Sequence, residues 1–254
     1  MPGVRQGEAD KACPSLIYQM ESSQTTKIEV IGHISSCFTE KFAIPRQPGL
    51  APSACARLKL AEPFNRPEMV RGLETFSHIW LLFMFHDAVE EGWKATVRPP
   101  RLGGRVRKGI WATRSPHRPN FIGLSVVKLE DTDLSDGVEL LLSGVDLLDG
   151  TPVIDIKPYL PDSDCPAGAA GGWSGEAFAA LEVRFSPQAR EFCSAYERNT
   201  GSPLATLISE VLRADPRPAS QRSRREEFGM LLYDVNVRWR MEEGGCVVQS
   251  CEWI

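Results

Sequence analysis

Asp146-Leu-Leu-Asp-Gly-Thr-Pro-Val-Ile-Asp-Ile-Lys-Pro-Tyr159 carries the pattern that decides the fold. Two carboxylates, Asp146 and Asp149, lead through a tight Gly-Thr-Pro turn into a short Val-Ile-x-Ile strand, with Asp155 and Lys157 pointing away from its apolar side. The same grain recurs upstream. Strand-like segments run over 27–35, 56–60, 78–85, 107–113, 125–130, 138–143 and 153–157, separated by Gly- and Pro-containing turns. Short strands at that spacing predict a barrel or sandwich and argue against βαβ units. Helical stretches here are short, such as Met69 to Leu73. The domain spanning 27–161 is therefore mainly β.

Residues 162–175 are rich in small and turn-forming types without an apolar period, and read as a linker. Beyond it, 176–254 predicts a small α+β domain. Phe178 to Phe185 forms a strand, and Pro187 to Asn199 and Pro203 to Ala214 form helices. Met230 to Arg240 is expected to be one strand, paired through Glu-Glu-Gly-Gly245 with Val247 to Glu252. Along it Tyr233, Val235, Val237 and Trp239 alternate with polar residues, the period of a half-buried strand. Residues 1–26 show no sustained period and are expected to be a disordered extension, with Met20 a plausible alternative start.

The 254 residues suffice for one large domain or two small ones, each with a core. No apolar run approaches the roughly 18 residues of a membrane span and no apolar signal core opens the chain, so a cytoplasmic protein is expected. Seven scattered cysteines without a Cys-x-x-Cys pair indicate neither a disulfide framework nor a zinc site. The net charge of −4 conceals a strong asymmetry. Between Glu91 and Glu130 there is no acidic residue, while Lys94, Arg98, Arg101, Arg105, Arg107, Lys108, Arg114, Arg118 and Lys128 fall in that gap. A second cluster comprises Arg213, Arg217, Arg222, Arg224 and Arg225. Local fields of this kind attract polyanions whatever the mean charge.

Inside the acid-free stretch lies Arg114-Ser-Pro-His-Arg-Pro-Asn-Phe-Ile-Gly-Leu-Ser125, in which two prolines stiffen a loop bearing two arginines, a histidine and Asn120. Such a loop suits an anion or a base. Gly103-Gly104 has no following helix, so a Rossmann fingerprint and a P-loop are both absent. No His/Cys/carboxylate set has metal-ligand spacing, and Ser77-His78 is a neighbour pair within a strand and so does not support a serine triad.

Taken together with Ile31-Gly-His-Ile-Ser-Ser36, Lys41-Phe-Ala-Ile-Pro-Arg-Gln-Pro-Gly49, Val70-Arg-Gly-Leu-Glu-Thr-Phe-Ser-His-Ile-Trp80, Asp215-Pro-Arg-Pro218 and Asn236-Val-Arg-Trp239, these segments resemble the TrmO (TsaA/YaeB) family of tRNA methyltransferases over about 28–254. The resemblance implies a single-sheet N-terminal β-barrel that binds S-adenosylmethionine, a homodimer, and methylation of N6 of a threonylcarbamoyladenosine 3′ of the anticodon, at tRNA position 37. It implies a cofactor pocket walled by Pro45, Arg46 and Gln47, by His86 and Asp87, by Arg114 and Leu124, and by the Ser143-Gly144-Val145-Asp146 turn. An arginine suits the methionine carboxylate, and Asp87 or Asp146 can accept from the amino group and ribose hydroxyls. The proton leaving N6 has Asp146, Asp155 and His86 as candidate acceptors, with Tyr159 as a hydrogen-bond partner. Arg101, Arg105, Arg118, Asn120, Arg217, Arg222, Arg224 and Arg225 are the candidate contacts to the anticodon stem-loop. Two positions depart from the family pattern: Phe121 replaces a proline after Arg-Pro-Asn, and Ser220 replaces a tyrosine. Two other readings remain open on the residues alone, a non-catalytic RNA-binding module and a small-molecule hydrolase built on the Arg/His loop.

Overall fold

The computed structural model describes residues 26–174, 180–218 and 227–254. The N-terminal part contains β1 (Gly32–Ser36), β2 (Cys55–Leu60), β3 (His78–Met84), β4 (Thr96–Val97), β5 (Lys108–Gly109), β6 (Ile122–Asp133), β7 (Glu139–Ser143) and β8 (Pro152–Pro158). Six of these close a barrel in the order β1-β2-β7-β6-β3-β8, with every neighbouring pair antiparallel. Closure removes the sheet edges, and the strand alternation fills the inside. Ile34, Leu58, Ile79, Leu81, Val127, Leu140, Leu142 and Val153 are almost fully buried, while their sequence neighbours, Ser143 excepted, are more exposed.

The deciding stretch achieves its pattern through a bulge. Phe83 pairs with Val153 and Leu82 with Asp155, so Ile154 is the extra residue in the ladder. That irregularity turns Val153 and Ile156 to the same side despite their odd spacing and leaves Asp155 and Lys157 outside, where they form a 2.9 Å ion pair. Asp149 holds the preceding turn, its Oδ1 accepting from the Ser36 amide at 2.8 Å. At Gly123 a Cβ would meet the Phe83 ring at 2.3 Å, so glycine is what lets that ring lie across β6.

The C-terminal part follows a four-residue helix α1 (Pro161–Asp164) and contains β9 (Glu182–Phe185), α2 (Pro187–Thr200), α3 (Leu204–Arg213), β10 (Glu227–Leu232), β11 (Val235–Glu242) and β12 (Gly245–Trp253). Its sheet runs β10-β11-β12-β9, with β9 parallel to β12. Ser186 caps α2 by accepting from Ala189 N at 3.0 Å, Pro187 supplies its first residue, and Gly201 ends it in the left-handed region. The two parts share one apolar core. Polar ties cross between them: Glu40 accepts from Leu231 N at 2.9 Å, Cys37 O accepts from Tyr233 N at 2.8 Å, and Glu210 accepts from Ser53 N at 2.9 Å.

Several sequence expectations are corrected. Met230–Arg240 is not one strand but parts of β10 and β11, which form an antiparallel hairpin turning at Tyr233-Asp234. Tyr233 takes φ +55°, a conformation its residue type does not advertise. The 107–113 segment keeps only two strand residues before tightening into a 3₁₀ turn over Ile110–Ala112. Residues 27–31 precede the strand proper, and 69–73 forms 3₁₀ turns, Pro67–Val70 and Leu73–Thr75, in place of a helix. No helix among the described residues is long and apolar enough to cross a membrane.

Candidate active site

A cleft of about 1090 Å³ opens where β3 ends and β6 begins. Its walls come from segments far apart in sequence, which the barrel closure brings to one place: Ile44–Pro48, Phe83–Ala88, Lys94 and Thr96–Arg101 with Arg107, Thr113–Arg118, Ile122–Ser125 and Asp146–Leu148 with Thr151. Small-molecule pockets typically run to roughly 300–1,000 Å³, so this cleft has room for a cofactor together with part of a second substrate. Eight cations face only three carboxylates on its walls: Lys41, Arg46, Lys94, Arg98, Arg101, Arg107, Arg114 and Arg118 against Asp87, Glu91 and Asp146. The cleft is thus electropositive, in a protein of net negative charge.

At its centre Asp146 accepts from Ser125 Oγ at 2.6 Å. Burial pushes the Asp146 carboxyl up to about 6, against the opposing pull of the Ser125 hydrogen bond and the nearby Arg114 charge. Ser125 is itself buried, on the inward face of β6 amid valine and leucine. Arg114 donates Nη1 to Gln47 Oε1 at 2.9 Å, which holds the guanidinium at the cleft while leaving most of its fork available. Arg46 lines the same wall but donates Nη2 to the Arg217 carbonyl at 3.0 Å, tying the cleft to the C-terminal part. His86 and Asp87 begin the 3₁₀ turn after β3, with His86 Nε2 3.5 Å from Asp87 Oδ1. Lys41 Nζ donates to the Asp87 carbonyl at 3.0 Å and lies 3.6 Å from its Oδ2.

Pro45, Arg46, Gln47, His86, Asp87, Arg114, Leu124, Asp146, Arg101 and Arg118 therefore all converge on the cleft. Others do not. Ser143, Gly144 and Val145 sit behind the wall: Ser143 Oγ donates to Glu130, Gly144 O accepts from Gly49 N at 2.9 Å, and Val145 is fully buried. Their backbone fixes the loop after Gln47 without lining the cavity. Asp155 and Tyr159 also lie off the cleft; Asp155 pairs with Lys157, and Tyr159 packs against Trp80 and His78 at ring distances of 5.8 and 6.3 Å. Arg105 and Asn120 are exposed and outside the lining.

Arg217 is corrected outright as an exposed contact. It is 4% exposed, pairs with Asp215 at 2.8 Å and lies over the Phe228 ring at 5.8 Å. Arg222, Arg224, Arg225 and Ser220 lie outside the described residues.

Residues not anticipated as site groups include Lys41, Glu91, Ser125 and Trp173, while Lys94 and His117, read only as parts of a basic stretch and of an anion-binding loop, also line the cleft. Glu91 binds Lys94 at 3.5 Å and lies 3.7 Å from His117 Nε2. Trp173, from the segment expected to be a plain linker, donates Nε1 to the Ala112 carbonyl at 2.9 Å and so docks on the cleft lip. Phe121 takes φ +52°, where a proline, locked near −65°, cannot go; the departure from the family pattern thus changes the loop backbone. Among the described residues no group of three His/Cys/Asp/Glu is placed to hold a metal.

An antiparallel six-stranded barrel with a basic cleft at one end, a buried carboxylate within it and a helix-backed sheet alongside defines a class of ligand-binding barrels distinct from the doubly wound nucleotide folds. The model of the tRNA-methyltransferase O N-terminal domain matches residues 33–165, and that of the TrmO C-terminal domain matches 179–254. The chain belongs to the tRNA-methyltransferase O family. It is 46% identical to a tRNA (adenine(37)-N6)-methyltransferase of Escherichia coli, covering 89% of this chain and 97% of that one. It is 48% identical to a putative S-adenosylmethionine-dependent methyltransferase, RcsF, of Pseudomonas aeruginosa, covering 85% of this chain and 92% of that one. A crystal structure of TrmO from Pseudomonas aeruginosa superposes with a TM-score of 0.76 at 41% identity, over 90% of this chain and 99% of that one.

Proposed function

We propose that the chain transfers a methyl group from S-adenosylmethionine to N6 of adenosine 37 of tRNA, and that the accepting adenosine already carries a threonylcarbamoyl group. The observation that carries this reading is the meeting of Arg114, Gln47 and the Ser125-bonded Asp146 in one electropositive cleft. The donor set fits such a cofactor: an arginine for a carboxylate, acceptors at Asp87 and Asp146 for amino and hydroxyl groups, and apolar Leu124, Phe83 and Ile44 for an adenine face. When bound, S-adenosylmethionine supplies a methyl carbon on a sulfonium that leaves as a neutral thioether. In the chain itself, Arg114 orients by a charge-assisted fork and the barrel wall limits access of water. Asp146 is the proposed acceptor of the N6 proton: it is ionised above about pH 6 and lies within the cleft, whereas Asp155 lies off it; His86, which also lines the cleft, is the alternative acceptor, and Tyr159, off the cleft, is not its hydrogen-bond partner there. N6 of such an adenosine is a poor nucleophile, its lone pair delocalised into the ring and the carbamoyl carbonyl, so the site has to supply both alignment and a proton acceptor.

The RNA path in this reading runs along Arg101 and Arg118 at the cleft, takes in the exposed Arg105 and Asn120 outside it, and continues to Arg222, Arg224 and Arg225. A homodimer acting in the cytoplasm completes the reading, on the family resemblance. The test is mass spectrometry of nucleosides from tRNA bearing or lacking the threonylcarbamoyl group after incubation with the protein and cofactor. Methylation confined to the bearing tRNA is expected; equal methylation of both sinks the substrate assignment. Calorimetry with S-adenosylmethionine alone separates an enzyme from a non-catalytic RNA-binding module, which would give no heat of binding.

A further inference from the structure

At the rim of the cleft Trp111 presents a large aromatic face to solvent from a rigid support. The residue is 73% exposed, although an indole buries roughly 150–250 Å² when packed. The backbone beneath it is fixed on both sides: Ile110 is 4% exposed, Thr113 N and Oγ1 both donate to the Ile110 carbonyl, and Trp173 Nε1 donates to the Ala112 carbonyl. Arg118 sits over the ring at 5.6 Å from its centroid, and its own Nη1 donates to the Thr113 carbonyl at 2.7 Å. Thr113, Arg114 and Arg118 all line the cleft, so the indole stands immediately beside it. No acidic side chain occurs from 92 to 129, and Arg98, Arg101 and Arg107 face the same cleft.

We propose that Trp111, backed by Arg118, is a stacking platform for an unpaired RNA base next to the nucleotide that enters the cleft. The proposal rests on the reading of tRNA as substrate. Three features select a nucleic-acid base as the occupant. The surrounding field favours a polyanion, the guanidinium polarises the indole and leaves its remaining surface open, and stacking on a fixed ring needs no base-specific hydrogen bond. Bases of single-stranded loops, which splay out for recognition, have the required geometry; paired bases do not. Trp111 is thus a positioning residue that sets the register of the loop against the cleft.

The test compares W111A and W111F with the wild-type full chain, measuring tRNA affinity across a salt series, S-adenosylmethionine affinity and solution molar mass. Stacking predicts that W111A weakens tRNA binding on the order of tenfold or more, with the salt slope unchanged because no cation is removed. W111F is expected to recover most of that loss, and both variants to bind S-adenosylmethionine as wild type does. Wild-type tRNA affinity in W111A overturns the platform, and so does a loss of affinity that tracks a fall in molar mass, which marks the residue as a subunit contact. Failure of the wild-type chain to methylate any tRNA overturns the reading beneath it, an outcome distinguishable because it needs no variant.

Discussion

Replacing Asp146 by asparagine separates what the carboxylate contributes to stability from what it contributes to chemistry. The amide oxygen can still accept from Ser125 Oγ, so the 2.6 Å contact and the packing around it are kept while the charge is removed. In the folded chain burial raises this carboxyl to about 6 from an ordinary 3.8. The sign follows from linkage: the folded state holds the proton more tightly than the unfolded chain. Stability from this group is therefore full below the ordinary value and is lost as pH rises through about 6. At about 1.4 kcal/mol per pH unit of displacement, the ceiling on that loss is ~3 kcal/mol. Asp146→Asn is expected to be more stable than wild type by about 1–3 kcal/mol at pH 8, with the advantage shrinking toward pH 4. The measurement is urea unfolding of both chains across that range without cofactor. Single-turnover methylation by the variant is expected to fall by roughly 10²–10⁴, the usual contribution of a positioned base. A variant less stable than wild type at pH 8, or an advantage independent of pH, refutes the burial argument; retained single-turnover rate refutes the role as proton acceptor.

Arg114→Ala is expected to weaken S-adenosylmethionine binding by about 10- to 100-fold, the loss of a charge-assisted hydrogen bond, with little change in unfolding midpoint because the residue is exposed and its side chain is held by a hydrogen bond to Gln47. Unchanged affinity in calorimetry counts against the cleft as the cofactor site. Arg217→Ala removes one member of a buried pair and is expected to cost about 3–5 kcal/mol in denaturant unfolding, whereas exposed Arg213→Ala stays within ~0.5 kcal/mol. Wild-type stability with weakened tRNA binding in Arg217→Ala reverses the structural assignment. Joint replacement of Arg222, Arg224 and Arg225 by alanine is expected to reduce the salt slope of tRNA binding by about 2, near 0.7 per cation, without altering S-adenosylmethionine affinity.

The barrel was legible because inward positions of its strands are apolar with few interruptions, and the serine at an inward position of β6 was a signal that the reading of the sequence left unused. A hydroxyl at the inward position Ser125 needs a partner, and Asp146 supplies it. Where the reading of the sequence failed, the cause was geometry invisible to pattern. Alternation continues from Tyr233 through Trp239, so the Met230–Arg240 run looks unbroken, yet the chain reverses at a tyrosine in the left-handed region with none of the glycine or asparagine that usually marks a hairpin. Counting arginines grouped Arg217 with Arg213, Arg222, Arg224 and Arg225 as one cationic cluster, whereas Asp215 two residues earlier turns it inward. Charge density along a sequence is therefore a guide to a surface only after local carboxylates have been paired off.

The same logic explains how the cleft can be strongly basic without repelling its own walls. Its carboxylates are distributed by function: Asp87 and Glu91 are bound to Lys41 and Lys94 at the edge, where solvent screens the pairs, while Asp146 is kept apart and buried. Edge pairs of this kind contribute little to stability but hold the cationic stems in place around the opening. The interior carboxylate costs stability at neutral pH, and a ligand bearing positive charge recovers that cost on binding because it favours the ionised form. A cationic ligand therefore gains more from Asp146 than it would from a solvated carboxylate, which gives this residue, on the loop after β7, a part in the thermodynamics of the cleft beside its proposed part as proton acceptor.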